Sequence, residues 1–159
     1  MEIHTLEPIL KAHHFFQGLA PQHLQLLVGC TTNVRFNPGT YICRFGEDSN
    51  HFYLLRSGKV AIEVDCPGKG TIAIQTLSDN EIVGWSWLFP PYKWTFDVRA
   101  TELTLALAMD AKCLRNKCDL DHDLGYELMK RFAAIMVDRL RAARLQLIDL
   151  YGPPKGTQK

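Results

Sequence analysis

A mainly β domain with helices at both ends is the fold class that the sequence predicts, and three observations predict it. Turn residues recur about every ten positions: Asn37-Pro38-Gly39, Gly46-Glu47-Asp48-Ser49-Asn50, Ser57-Gly58 and Pro67-Gly68-Lys69-Gly70. The runs between them are short and β-prone, and some alternate apolar with polar, as Val60, Ile62 and Val64 do against Lys59, Ala61 and Glu63. Apolar spacing of three and four is confined to the segments before Cys30 and after Asp110. Short strands at regular spacing argue for a sandwich or barrel rather than a parallel sheet with crossover helices.

The elements follow in order. Leu6 to Phe16 carries apolar residues at Leu6, Ile9, Leu10, Phe15 and Phe16 and predicts one amphipathic helix that Gly18 ends. Ala20 to Cys30 predicts a second, with Pro21 in its first turn and Leu24, Leu27 and Val28 on one side. His13, His14 and His23 have no acid or thiol at ligand spacing, so they are expected on the surface or as caps. Strands are expected at Thr40–Phe45, Phe52–Leu55, Lys59–Asp65 and Thr71–Leu77, with a last one from Val98 to Met109. Asp110 is a fitting N-cap for a short helical turn, Ala111 to Lys117. A final helix runs from about Asp121 to Leu150, with Asp121 and Asp123 at its positive end and Gly152-Pro153-Pro154 stopping it.

Composition bounds the function classes. The length of 159 residues allows one domain with a real core, expected over 1–151, and a disordered polar tail over 152–159. A net charge of +1 leaves no basic stripe for nucleic acid. No apolar run is long enough to cross a bilayer and the start lacks a signal-peptide pattern, so a cytoplasmic location with no membrane contact is expected. The five cysteines are odd in number, scattered and without a Cys-x-x-Cys pair, which predicts reduced thiols. No Ser-His-Asp, P-loop, paired-carboxylate or His-Glu-x-x-His pattern occurs, and a non-enzymatic role is expected.

One stretch stands out as a site. Glu81 to Ala100 holds all three tryptophans, and Trp85, Trp87, Phe89, Tyr92, Trp94 and Phe96 crowd twelve residues between Gly84 and the last strand. Pro90-Pro91 breaks the segment, since proline offers no amide hydrogen to a sheet ladder. The segment therefore predicts a shaped loop, either a ligand site or ordinary aromatic core. Two stripes mark the final helix. Leu124, Leu128, Phe132 and Ile135 suit packing on the domain. Met129, Ala133, Met136, Leu140, Ala143, Leu147 and Leu150 have coiled-coil spacing, with Lys130, Arg131, Asp138, Arg139, Arg141 and Arg144 at flanking or outer positions. About 30 helical residues span roughly 45 Å, longer than a small domain is wide, so homodimerisation through that seam is expected.

These residues resemble the cyclic-nucleotide-binding domain of the catabolite-activator and fumarate-nitrate-regulator superfamily. The resemblance rests on HHFFQGL (His13–Leu19), on FNPGTYICRFGEDSNHFYLLRSGKVAIEV (Phe36–Val64), and on IVGWSWLF and VRA at the two ends of what would be the phosphate-binding cassette. It implies a double-stranded β-helix, a jelly-roll-like β-roll, with N-terminal helices and a long C-terminal helix. It also implies a ligand site over Gly84, Trp85, Ser86, Trp87, Lys93, Trp94 and Thr95.

In that family a glutamate directly after the cassette glycine takes the ribose, and an arginine ten residues after the glycine takes the phosphate. Here those positions are Trp85 and Trp94. Losing two charged hydrogen bonds implies weakening of about 100-fold or more, so cyclic AMP in the usual pose is not expected. Lys93 and Arg99 are the nearby cations, of which Lys93 could serve as a point charge.

The family's regulators carry a helix-turn-helix after the long helix, and Gly152–Lys159 is too short for one, so direct DNA binding by this chain is not expected. The function expected is a non-enzymatic sensor with an altered cassette, signalling through its C-terminal helix. Its ligand would be a cyclic nucleotide or a flat apolar or aromatic molecule. The alternatives are a ligand-free subunit that docks on a protein partner through that helix or the Phe89–Tyr92 turn, and a haem or redox sensor using His51, Cys113/Cys118 or His122.

Overall fold

The computed structural model describes residues 6–152. Its helices are α1 (Leu6–Ala12), α2 (Pro21–Val28), α3 (Ala111–Leu120) and α4 (His122–Tyr151). Its strands are β1 (Thr31–Phe36), β2 (Tyr41–Cys43), β3 (His51–Ser57), β4 (Val60–Cys66), β5 (Gly70–Leu77), β6 (Ile82–Val83), β7 (Asp97–Ala100) and β8 (Thr104–Asp110). They form two four-stranded antiparallel sheets, ordered β1-β8-β3-β6 and β2-β7-β4-β5. This is the β-roll with flanking helices that the resemblance implies.

Two cores explain the sequence texture. Leu55, Val60, Ile62, Leu77, Val83, Trp94, Val98 and Ala106 come from both sheets and fill the inside of the roll. The outer face of the first sheet offers Phe52, Leu54, Leu107 and Met109 to a second cluster built from all four helices. Strands β3 and β8 thus bury both faces, which is why Phe52–Leu55 and Leu105–Met109 read as near-continuous apolar runs.

The first stripe of α4 packs as expected: Leu124, Leu128 and Phe132 are buried, Phe132 lies edge-on to Phe15, Phe52 and Trp87, and Ile135 is half-buried against them. Asp110 caps α3 by accepting from Cys113 N at 2.7 Å, and Asp121 caps α4 by accepting from Leu124 N at 3.1 Å.

Several expectations are corrected. The single strand Val98–Met109 is two strands in different sheets, separated at Thr101–Leu103. The corner packs on Gly58 (φ +104°), where a Cβ would come within 2.5 Å of Leu103 O, so that turn requires glycine. The helix expected over Leu6–Phe16 ends at Ala12, and His14–Phe16 is a separate 3-10 turn. The break comes from His13, whose extended backbone places Nδ1 to accept from Phe15 N at 3.2 Å. His13 is therefore a cap, but a buried one, and His23 is buried too, with Nε2 at 3.3 Å from Asp121 Oδ2.

Cys30 and Cys113 form a disulfide across 83 residues, a pairing that local spacing does not reveal, while Cys43, Cys66 and Cys118 are free. The tail beyond Gly152 lies outside the described residues. Among the described residues, no helix is long and apolar enough to cross a membrane.

Candidate functional site

The cassette leaves β6 at Gly84, which takes φ +93° because the indole of Trp94 lies directly on it. A Cβ at this position would sit 2.4 Å from Trp94 Cζ3 and 2.5 Å from Cη2. The ring cannot easily yield. Trp94 N donates to Glu47 O at 2.9 Å, its carbonyl accepts from Gly46 N at 2.8 Å, and its ring stacks on Tyr53 at 6.5 Å. Trp94 is 7% exposed and belongs to the roll's interior.

Trp87 goes the other way. It is fully buried in the helical core, stacked on Phe52 at 5.0 Å, and Arg115 Nη1 donates to its carbonyl at 2.8 Å. Between Trp85 and Trp94 the chain makes a single 3-10 turn, Ser86–Leu88, which contains Trp87, and then the Phe89–Tyr92 turn with a cis Pro90-Pro91 bond.

A cavity of about 310 Å³ opens between the cassette and α4. Gly84, Trp85, Ser86, Trp94 and Thr95 line it from the cassette, and Ile62, Val83 and Val98 from the roll. Met136, Arg139, Leu140 and Ala143 close it from α4. Five of the seven residues expected at the ligand site therefore share one cavity, while Trp87 and Lys93 do not line it. Lys93 is an exposed residue whose Nζ pairs with Asp48 Oδ1. Arg99 is engaged by Glu63 in a bidentate pair at 2.8 and 3.0 Å. Neither cation of this region is free to stand in for the family's arginine.

Among the described residues, the only charged side chain lining the cavity is Arg139, one of the flanking or outer positions of the seam. Its guanidinium lies over the Trp85 ring, Cζ 4.8 Å from the centroid, and Nη2 donates to Ile82 O. Burial pushes its pKa down to about 10, and the charge of Glu81 partly opposes that shift. The signal for Arg139 was in the sequence: it follows Met136 by three residues and precedes Ala143 by four, so it shares their helix face.

Met136, Leu140 and Ala143 belong to both the cavity wall and the expected dimer seam. The other seam residues, Met129, Ala133, Leu147 and Leu150, are solvent-exposed. From Arg141 to Tyr151 every residue of α4 is exposed, although Gln146 Nε2 still donates to Ile74 O at 3.2 Å. Ile72 and Ile74 of β5 add to this exposed apolar face.

No group of three or more metal-ligating side chains lies together among the described residues. Cys113 is committed to Cys30, which removes it from the set considered for haem.

Residues 33–121, more than half of the chain, match the family described as Cyclic nucleotide-binding domain. The chain belongs to that family. This cyclic nucleotide-binding domain is 24% identical over 145 residues to a CRP-like cAMP-activated global transcriptional regulator of Mycobacterium tuberculosis. The alignment covers 91% of the chain but 63% of the relative.

Among solved structures, a Geobacter metallireducens protein named for cyclic-nucleotide binding superposes with a TM-score of 0.76 at 24% identity, covering 84% of this chain and 97% of its own. A cyclic nucleotide-binding domain from Methylobacillus flagellatus also reaches 0.76, at 15% identity over 99% of this chain and 85% of its own. At these identities the superpositions establish the fold.

Proposed function

We propose that this domain is a ligand-responsive regulatory module whose ligand is a flat aromatic molecule rather than cyclic AMP in the family's usual pose. The observation that carries the reading is the cavity between the cassette and α4. Its two cassette tryptophans stand at the positions where the resemblance implies the glutamate and the arginine. Apolar walls and indole faces favour planar rings, and a ribose phosphate would find neither of its two charged partners there.

The output is α4. A ligand that touches Met136, Leu140 and Ala143 acts on the face that carries the apolar seam, so binding biases how α4 meets a second copy of the chain. A ligand can do this only by binding one arrangement of α4 better than the other.

Tryptophan fluorescence tests this, because Trp85 and Trp94 line the cavity. Titration with 1-anilinonaphthalene-8-sulfonate is expected to give a saturable change at micromolar concentration, and cyclic AMP, cyclic GMP and cyclic dinucleotides none up to millimolar. A saturable micromolar response to cyclic AMP overturns the ligand class. No response to any of these compounds favours a ligand-free module that works through the exposed end of α4.

A further inference from the structure

The reading of the cavity as a site for flat aromatic molecules leaves one feature unused, the arginine in its wall. We propose that Arg139 is the anion anchor of this cavity, so that the ligand is a planar aromatic molecule with a single negative charge, such as an aryl carboxylate. The proposal rests on the function proposed above and names the ligand's head group.

Three observations carry it. First, among the described residues Arg139 is the one charged residue lining the cavity, and no carboxylate of theirs lines it; the other polar groups there are Gln75, Ser86 and Thr95. Second, the guanidinium is under-compensated. It offers five N–H donors, of which the described contacts use one, on Ile82 O, and its face rests on Trp85. Among the described residues it makes no ion pair. Glu81, whose charge acts on it, directs Oε2 to Ser78 N at 2.6 Å and to Ser78 Oγ at 3.3 Å, and Asp138 pairs with Arg141 at 3.8 Å.

Third, the charge of Glu81 offsets only part of its desolvation, and its pKa is lowered accordingly. A bound anion would supply that partner, while the rings of Trp85 and Trp94 receive the ligand's aromatic body. Arg139 also lines a more polar cavity of about 430 Å³ with Arg131, Glu81, Asn80 and Asp138. The two carboxylates there offset the two guanidiniums, so that side holds no excess positive charge for an anion. The consequence is mechanical: the anchor sits on α4, not in the cassette, so the ligand's charge ties α4 directly to the cassette that holds its ring.

The test compares 2-naphthoate with 2-naphthamide, which share a ring and differ in charge, against the full chain and its Arg139→Met and Arg139→Lys variants. Thermal melts first establish that each variant is folded, since Arg139 also holds Ile82 O. The unaltered protein is expected to prefer the acid by about 10-fold or more. Arg139→Met should bring the acid down to the affinity of the amide while leaving the amide unchanged, and Arg139→Lys should keep a reduced preference.

Equal affinity for acid and amide, or a preference that survives Arg139→Met, overturns the anchor while leaving the aromatic site standing. Binding of neither compound to the unaltered protein overturns both.

Discussion

Replacing Gly84 with alanine tests the contact that sets this cassette apart. The new methyl would meet the Trp94 indole at 2.4 Å, a distance that carbon atoms do not tolerate, and the backbone at φ +93° disfavours any side chain. The conformational part is worth about 1–3 kcal/mol and the overlap about another 1–3 kcal/mol, so Gly84→Ala should cost roughly 2–6 kcal/mol. A domain near the middle of the ordinary range of stability, about 10 kcal/mol, remains folded enough to measure.

The two parts separate in a double-mutant cycle. With Trp94→Leu as background the ring is gone, the overlap disappears and only the conformational cost of the alanine remains. Urea unfolding followed by far-UV circular dichroism on the four proteins should give a coupling of about 1–3 kcal/mol, with the alanine cheaper in the leucine background. If the alanine costs the same in both backgrounds, within about 0.5 kcal/mol, Trp94 does not lie on Gly84 and the geometry of the cavity wall is refuted.

Other expectations are simpler to check. Leu147 is 53% exposed on the outer seam of α4, so Leu147→Asp should change monomer stability by no more than about 0.5 kcal/mol while shifting a dimer to monomer in light scattering. A monomeric mass for the unaltered protein at micromolar concentration defeats the dimer reading.

His13 donates from Nε2 to Leu55 O at 3.3 Å and accepts from Phe15 N at Nδ1, so a second ring proton would face an N–H, and burial already lowers its pKa from 6.5. A depressed folded pKa means that the unfolded chain takes up the proton first. Stability is therefore complete above about pH 6.5 and falls with acidification below it, and His13→Gln should flatten that part of the profile. Alkylation without reductant should modify at most Cys43, Cys66 and Cys118, and Cys30→Ser should cost about 2–4 kcal/mol through the 83-residue separation it leaves open.

Much of the fold was legible because its signals are local. Turn residues spaced the strands, Asp110 and Asp121 announced the two caps, and the stripe of Leu124, Leu128 and Phe132 marked the packed face of α4. The failures share a cause. The corner at Thr101–Leu103 exists because the chain changes sheets there, and nothing in TELTL demands it until Gly58 is brought against Thr104. The Cys30–Cys113 bond and the burial of His13 under Leu55 likewise depend on contacts 83 and 42 residues apart.

The site divides in the same way. Trp85 and Trp94 were visible as departures from a motif, whereas Trp87 looked alike in sequence and went to the other core because the 3-10 turn directs it toward Phe52. Lys93 was misleading because its partner is not local: Asp48 lies 45 residues away in a turn.

The overlap of cavity and seam has a thermodynamic consequence. Met136, Leu140 and Ala143 line the cavity in one chain and carry the spacing of a helix pair at the same time. Each of these side chains has one surface to share between a ligand and a second copy of α4. On the proposed function, whatever fills the cavity is expected to change the free energy of association, and by linkage association is then expected to change ligand affinity by the same factor. Two geometries give opposite signs. If a ligand that draws Arg139 toward the cassette pulls the Met136–Ala143 segment inward, Leu147 and Leu150, beyond the cavity, are left to hold the partner. If instead the partner needs Met136 and Leu140, ligand and partner exclude each other. Measuring the dimer constant with and without saturating ligand distinguishes the two, since only the first arrangement lets both bind at once.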